Sequence, residues 1–295
     1  VNRLVLKYFL VTAIYGLAVA AVCFGVLSPH RAEVTKVHYR HVPSPAPVGP
    51  QPDRPVFGTI SYPVTDRTTS IHLYERHFST YNAYILTVSN PKKISVVMTK
   101  YRPQQGQTVE DFVQEYHAIA GINGGEFYDP DWQGTGGEVQ GIVISDGKVL
   151  ISSKQAENII GFTESGRLIS GRYTLAELKA MHVTQALMFG PTLVKDGVGQ
   201  ISGAGSWGYA PRTAIGQRAD GTVIFVVTDG RELTGPNDIG ASLGDIQSLM
   251  LQFGAVTAAN LDGGSSATLY ADGKLVNQPT DILGQRNVGT ALIVR

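Results

Sequence analysis

Ser242–Ser266 reads SLGDIQSLMLQFGAVTAANLDGGSS, a helix, a strand and a polar turn in unbroken succession. Ser242 stands where a helix N-cap is wanted, and Asp245 falls at the third helical position, the pairing of a capping box. Leu243, Ile246, Leu249, Met250 and Phe253 then recur at helical spacing and make one apolar face, and Gly254 supplies the stop. The run Val256–Leu261 is too short for a second helix and reads as a buried strand. It ends in Asn260-Leu261-Asp262-Gly263-Gly264-Ser265-Ser266. There a carboxylate meets glycines, which let the backbone approach a ligand closely. The successive free amides of such a turn form an anion-binding concavity.

Working outward, the same strand-like runs recur at Tyr84–Val88, Ile94–Met98, Gly141–Ile144, Thr222–Val227 and Thr290–Val294, mostly bounded by Gly, Asp, Asn or Pro. Asp146-Gly147, Asp220-Gly221 and Asp272-Gly273 carry the residue types of hairpin turns. Two further helices are expected, one after Thr108 and one after Thr174, which forms a capping box with Glu177. Many strands and about three helices, without regular βαβ alternation, predict an α+β class built on a mixed, mostly antiparallel sheet. The 34 glycines agree with a turn-rich β fold.

The 295 residues carry 24 basic and 24 acidic side chains, scattered along the chain, so nothing in the charge pattern suggests a nucleic-acid-binding surface. A single cysteine, Cys23, excludes an intrachain disulfide. Residues 1–27 stand apart. Arg3 and Lys7 precede an uncharged apolar run from Tyr8 to Leu27, long enough for a membrane-spanning helix and longer than the core of most signal peptides. We expect a single-pass membrane anchor, with a signal segment as the alternative, and basic residues on both flanks leave its orientation unsettled. Residues 28–56 contain Pro43, Pro45, Pro47, Pro50, Pro52 and Pro55, a composition that makes an extended stalk and no core. Residues 57–295 then read as one domain, with no linker-like break.

Three other polar clusters share the strand-then-glycine form of the Asp262 turn. In Ile122-Asn123-Gly124-Gly125-Glu126, Asn123 and Glu126 could both face a cleft. Pro211-Arg212-Thr213 puts a guanidinium at the head of an apolar strand, where it would meet a phosphate, a carboxylate or an internal partner such as Asp229. Thr228-Asp229-Gly230-Arg231 closes the strongest strand with a carboxylate and a cation. The seven histidines show no metal-ligand spacing, and no nucleophile elbow, zinc-protease motif or Walker loop is present. Carboxylates, arginines and backbone amides remain. That set suits cleavage of a glycosidic bond to a charged leaving group.

The order of these motifs resembles the phosphodiester glycosidase family. The sequence carries Ile122-Asn123-Gly124-Gly125, Gly190-Pro191-Thr192-Leu193 with Asp196-Gly197, Pro211-Arg212-Thr213-Ala214, Asp229-Gly230-Arg231, the Gly240–Met250 helix, and Leu261-Asp262-Gly263-Gly264-Ser265-Ser266. The resemblance covers roughly Tyr81 to Arg295. Glu126 departs from it, since relatives often carry an aromatic there. The resemblance implies hydrolysis of a sugar-1-phosphodiester at the anomeric carbon, on cell-surface or exopolysaccharide glycans. It implies Asp262 or Asp229 as the carboxylate that activates water or stabilises the sugar cation, with Arg212 and Asn123 beside it. Arg231, Gly124, Gly125, Glu126, Gly230, Gly263, Gly264, Ser265 and Ser266 would hold the substrate. It also implies an exported domain, with the N-terminus inside and the domain on the extracytoplasmic side.

Two readings from other classes compete. One is a metal-dependent phosphodiesterase, with Asp229, Asp262 and Asn123 as oxygen ligands for Mg²⁺ or Ca²⁺, although nothing in the sequence requires a cofactor. The other is a non-catalytic polysaccharide-binding protein, with Phe127, Tyr128, Trp132 and Trp207 stacking on sugar rings.

Overall fold

The structure, a computed structural model, describes residues 69–231, 239–280 and 284–295. The expected membrane segment at 1–27, the proline-rich stalk at 28–56 and the domain start near Phe57 lie outside the described residues. No helix among the described residues is long and apolar enough to cross a membrane.

Strands β1 (Ile71–His77), β2 (Asn82–Val88), β10 (Thr192–Lys195), β11 (Val198–Gly199), β12 (Thr213–Arg218), β13 (Val223–Thr228) and β14 (Ala255–Leu261) form a seven-stranded sheet in the order β1-β2-β13-β12-β14-β10-β11. A five-stranded sheet holds β3 (Ile94–Met98), β4 (Ala120–Asn123), β15 (Leu269–Ala271), β16 (Lys274–Leu275) and β17 (Thr290–Val294) in the order β16-β15-β4-β17-β3. A third sheet holds β5 (Val143–Ser145), β6 (Lys148–Ile151), β7 (Glu157–Thr163), β8 (Leu168–Tyr173) and β9 (Val183–Met188) in the order β6-β5-β9-β7-β8. Every paired neighbour among the described strands is antiparallel. The hairpin turns fall where Asp-Gly pairs predict them: between β5 and β6, between β12 and β13, and between β15 and β16. In the first and last of these the aspartate has positive φ and is followed by a positive-φ glycine.

The three expected helices are α1 (Val109–Glu115), α2 (Leu175–Ala180) and α3 (Leu243–Gln252), each opened by a capping box. In α3 the Ser242 hydroxyl accepts from the Asp245 amide at 3.2 Å while the Asp245 carboxylate accepts from the Ser242 amide at 2.9 Å. Leu243, Ile246, Leu249 and Met250 pack against Ile85, Ile224, Val226 and Ala258 on one face of the seven-stranded sheet. The opposite face presents Leu86, Val223, Phe225, Val227 and Leu261 to a central core shared with Val96, Ile122 and Leu292 of the second sheet and Val143, Ile160 and Leu187 of the third. Covered on both faces, β13 is apolar without alternation, and for that reason its sequence reads as a continuous run. Helices α1 and α2 cover the outer faces of the second and third sheets in the same way. A fully buried side chain such as Ile246 contributes roughly 1.5–3 kcal/mol from burial alone.

The strand ends that matter for chemistry follow from this packing. β14 and β12 run side by side with Leu261 opposite Thr213, and β4 sits in the neighbouring sheet with Asn123 opposite Ala291. The C-terminal ends of β4 and β14 therefore meet at one edge of the shared core.

Candidate active site

Asp262 is the first residue beyond β14. Its own amide donates to the Gly124 carbonyl at 3.2 Å, and its Oδ1 accepts from the Gly263 amide at 2.9 Å. The Gly263–Gly264 turn lies on the chain at Pro211, whose carbonyl accepts from the Gly264 amide at 2.8 Å, so the Gly263 and Gly264 amides expected to stand free for an anion are both taken inside the protein. A Cβ on Gly263 would come within 2.7 Å of that carbonyl and 3.5 Å of the Arg212 Cα. Gly264 holds φ +58, a conformation that disfavours side chains.

Burial pushes the Asp262 carboxyl up to about 7. The Ser266 hydroxyl, the Arg286 guanidinium and the Gly263 amide act in the opposite direction, and the Glu126 carboxylate adds to the rise. Ser266 is buried and its Oγ reaches no full hydrogen-bond geometry, so it supports the charge of Asp262 by proximity. A carboxyl poised near neutral pH in a partly open turn is the arrangement of a proton-transfer or charge-stabilising group.

Asn123 ends β4 fully buried. Its Nδ2 donates to the Asp262 carbonyl, and its Oδ1 accepts from the Thr213 hydroxyl at 2.7 Å and from the Thr268 amide at 3.1 Å. One amide side chain thus joins β4, β12 and both ends of the Asp262 turn. Gly124 and Gly125 have no room for a side chain: a Cβ would overlap Thr290 at the first and the Met188 carbonyl at the second. Glu126 follows, with its amide on the Met188 carbonyl at 2.9 Å. Its side chain reaches solvent, yet desolvation raises its pKa, and its charge is felt at Asp262.

Three arginines surround this turn. Arg212 is buried, and it directs its guanidinium to backbone carbonyls: Ala241 at 3.2 Å, Trp207 at 3.2 Å and Gly208 at 2.7 Å. It lies 5.9 Å from the centre of the Trp207 ring. These carbonyls, rather than Asp229, are the internal partners of Arg212. Desolvation, and then the neighbouring Arg231, lower its pKa to about 10. Arg231 adopts φ +58 and is exposed, with its Nη1 3.7 Å from where a Cβ on Gly264 would sit. It forms no hydrogen bond or ion pair with the described residues. Arg286 was not anticipated from the sequence. It bonds Asp129 at 2.6 Å, the Gly134 carbonyl at 3.3 Å and the Ser265 hydroxyl at 3.3 Å, and covers the Phe127 ring at 5.1 Å. The signal was there in Gly284-Gln285-Arg286-Asn287, which has the glycine-flanked polar form of the other clusters but follows no apolar strand.

Asp229 reaches the same region through its backbone, since Gly230 packs against Gly240 and lies 3.2 Å from the Pro211 nitrogen, measured from an added Cβ. Its carboxylate, however, is buried, and it accepts from the Tyr84 hydroxyl at 2.9 Å and the Gln278 amide at 2.8 Å. The structure therefore brings together Asn123, Gly124, Gly125, Glu126, Arg212, Arg231 and the Asp262–Ser266 turn, and gives Asp229 a bracing position beside them. The proposed oxygen-ligand set of Asp229, Asp262 and Asn123 fits a metal poorly, because the Asn123 oxygen already holds two donors and the Asp229 oxygens hold two more. Among the described residues no cluster of three or more His, Cys, Asp or Glu forms a metal site. Of the aromatics, Phe127 is a core residue, whereas Tyr128 and Trp207 are each about half exposed, 52% and 51%. The Trp132 side chain lies outside the described residues.

A family profile described as phosphodiester glycosidase matches residues 116–295. The chain is 29% identical over 214 residues, 68% of its own length, to the SPbeta prophage-derived uncharacterized protein YomE of Bacillus subtilis. It is 28% identical over 193 residues, 59% of its length, to mouse N-acetylglucosamine-1-phosphodiester α-N-acetylglucosaminidase. These alignments span only 32% and 36% of the two relatives, about a third of each. The catalytic domain of the zebrafish enzyme of that name, solved in a form auto-inhibited by its pro-peptide, superposes with a TM-score of 0.65 at 19% identity, covering 80% of this chain and 86% of that one. At that identity the likeness establishes a shared fold.

Proposed function

The chain belongs to the phosphodiester glycosidase family, and we propose that it hydrolyses a sugar-1-phosphodiester at the anomeric carbon. We place it, as an exported and membrane-anchored protein, on cell-surface or exopolysaccharide glycans. The observation that carries the reading is the Asp262 turn: a carboxyl held near neutral pH in a glycine turn, with the Arg231 guanidinium beside Gly264 and that of Arg286 on the Ser265 hydroxyl.

In this reading the anomeric sugar sits against Asp262 and the phosphate sits beside the Gly263–Gly264 turn, whose amides are taken by the Asp262 carboxylate and the Pro211 carbonyl. The exposed Arg231 meets the phosphate directly, and buried Arg212, close enough for its charge to be coupled to that of Arg231, adds positive potential. As the anomeric C–O bond breaks, electrons move onto the phosphate oxygen, and these cations stabilise that charge. The leaving group is already acidic, so protonating it matters less than in ordinary glycosides. Ionised Asp262 takes a proton from the attacking water or stabilises the oxocarbenium-like sugar. Asn123 touches only the main chain of Asp262 and acts as a positioning residue. Asp229 braces Tyr84 and Gln278.

Hydrolysis of a panel of sugar-1-phosphodiesters in ¹⁸O-labelled water tests the proposal. Cleavage at carbon leaves the released phosphomonoester without label. Label in the phosphate would overturn it in favour of a phosphodiesterase, and binding without turnover would leave a polysaccharide-binding protein.

A further inference from the structure

We propose that Glu126 receives an ammonium group on the anomeric sugar, carried by the ring carbon beside the anomeric one, so that the substrate is an amino-sugar 1-phosphodiester with its amine free. This assignment rests on the phosphodiester glycosidase reading and specifies its substrate class.

The backbone fixes where Glu126 stands. Its amide donates to the Met188 carbonyl at 2.9 Å, and its carbonyl accepts from the Gln140 amide at 3.0 Å. Gly125 and Phe127, on either side, are buried, so the side chain between them is turned outward to solvent. Two residues back, the Gly124 carbonyl accepts from the Asp262 amide at 3.2 Å and ties this segment to the Asp262 turn. The Glu126 charge accordingly raises the proton affinity of Asp262.

Among the described residues no cation answers that charge: the Glu126 carboxylate forms no hydrogen bond or ion pair with them. Arg286 is committed elsewhere, to Asp129 at 2.6 Å, the Gly134 carbonyl at 3.3 Å and the Ser265 hydroxyl at 3.3 Å. Desolvation raises the Glu126 carboxyl above its ordinary range, as befits a charge partly stripped of water and given no partner. Arg231, exposed beside Gly264, also has no partner among the described residues. The site thus offers an unpaired anion and an unpaired cation that do not bond each other. A zwitterionic ligand satisfies both, with its phosphate on Arg231 and its ammonium donating charge-assisted hydrogen bonds to Glu126. The Glu126 charge is felt at Asp262, which faces the anomeric carbon in this reading. The amine therefore belongs on the sugar, next to that carbon, and not on the leaving group.

Two methyl 1-phosphodiesters of one 2-amino-2-deoxypyranose, one with the amine free and one with it N-acetylated, test the assignment at about pH 6, where such an amine is charged. The wild type is expected to show a kcat/KM about tenfold higher for the free amine. Glu126→Gln keeps the shape of an outward-facing side chain and removes its charge, and it should abolish that ratio. Equal or faster cleavage of the N-acetylated diester by the wild type would overturn the inference. So would an equal change on both diesters in Glu126→Gln, which would make Glu126 act through Asp262. Binding is read apart from turnover by calorimetry with the two corresponding sugar 1-phosphates. The free amine should bind the wild type about tenfold more tightly than its N-acetylated form, and Glu126→Gln should bind the two alike. Equal affinities in the wild type would overturn the ammonium site. Failure of the wild type to cleave either diester, with the Glu126-dependent binding preference intact, would overturn the glycosidase reading and leave the ammonium site standing.

Discussion

Asn123 and Asp262, 139 positions apart in sequence, are joined by a hydrogen bond from the Asn123 side-chain amide to the Asp262 main-chain carbonyl. The carbonyl oxygen of the same side chain holds Thr213 and Thr268. A single buried residue therefore sets the position of the carboxylate turn relative to both sheets, without touching the carboxylate.

Removing that brace should cost stability and geometry together. Asn123→Ala leaves the Thr213 hydroxyl and the Thr268 amide buried without their acceptor, a loss of about 2 kcal/mol or more. The expected outcome is a lower unfolding midpoint in denaturant together with a fall in turnover. An unchanged midpoint would show that the turn holds its shape without Asn123.

Asp262→Asn should reduce turnover by orders of magnitude while substrate still binds. It should also stabilise the fold at neutral pH. The folded protein keeps a proton on Asp262 up to about pH 7, whereas the unfolded chain releases it near 4. Between those values the folded state binds more protons, so this group makes stability fall as pH rises through the window. The variant should therefore melt higher than the wild type at pH 8 and nearly level with it at pH 4. Equal melting temperatures at pH 8 would contradict the assigned burial.

Activity that depends on ionised Asp262 should rise with pH through about 7. Arg286 holds that carboxyl down, so Arg286→Met should move the inflection to higher pH. A shift to lower pH, or none, would separate Arg286 from the site. The same variant frees the Gly134 and Ser265 contacts, so its fold should be checked by circular dichroism.

The arginines should divide by burial. Arg231→Ala removes an exposed cation and should weaken substrate binding and turnover with little effect on melting. Arg212→Ala removes a buried guanidinium that ties together Trp207, Gly208 and Ala241, and should lower stability by roughly 1–3 kcal/mol as well. Equal melting losses for the two would contradict this division.

At Gly125 the Met188 carbonyl occupies the space a Cβ would need. Gly125→Ala should displace the turn before Glu126 and lower both stability and activity, measured by thermal melting and by turnover of the same preparation. Wild-type values for both would show that the two turns can separate without consequence.

Local physics made much of this protein legible from its sequence. The capping boxes at Thr108, Thr174 and Ser242 are contacts three residues apart, and the Asp-Gly hairpin turns are shorter still. The apolar runs from Tyr84 to Val88 and from Thr290 to Val294 report burial that needs no knowledge of the partner strand. The glycine- or proline-flanked clusters at Asn123, Arg212, Asp229 and Asp262 likewise announced sharp turns at strand ends. Tertiary structure decided what each cluster does, because hydrogen-bond partners and solvent access are set by contacts between distant segments. Only the meeting of two sheets turns Asn123 into a brace, gives the Asp229 carboxylate to Tyr84 and Gln278, and surrounds Arg212 with carbonyls. Only the same packing brings Arg286 from an irregular loop to Ser265 and the Asp262 turn, where a charge that a local pattern cannot reveal helps set the carboxyl's proton affinity.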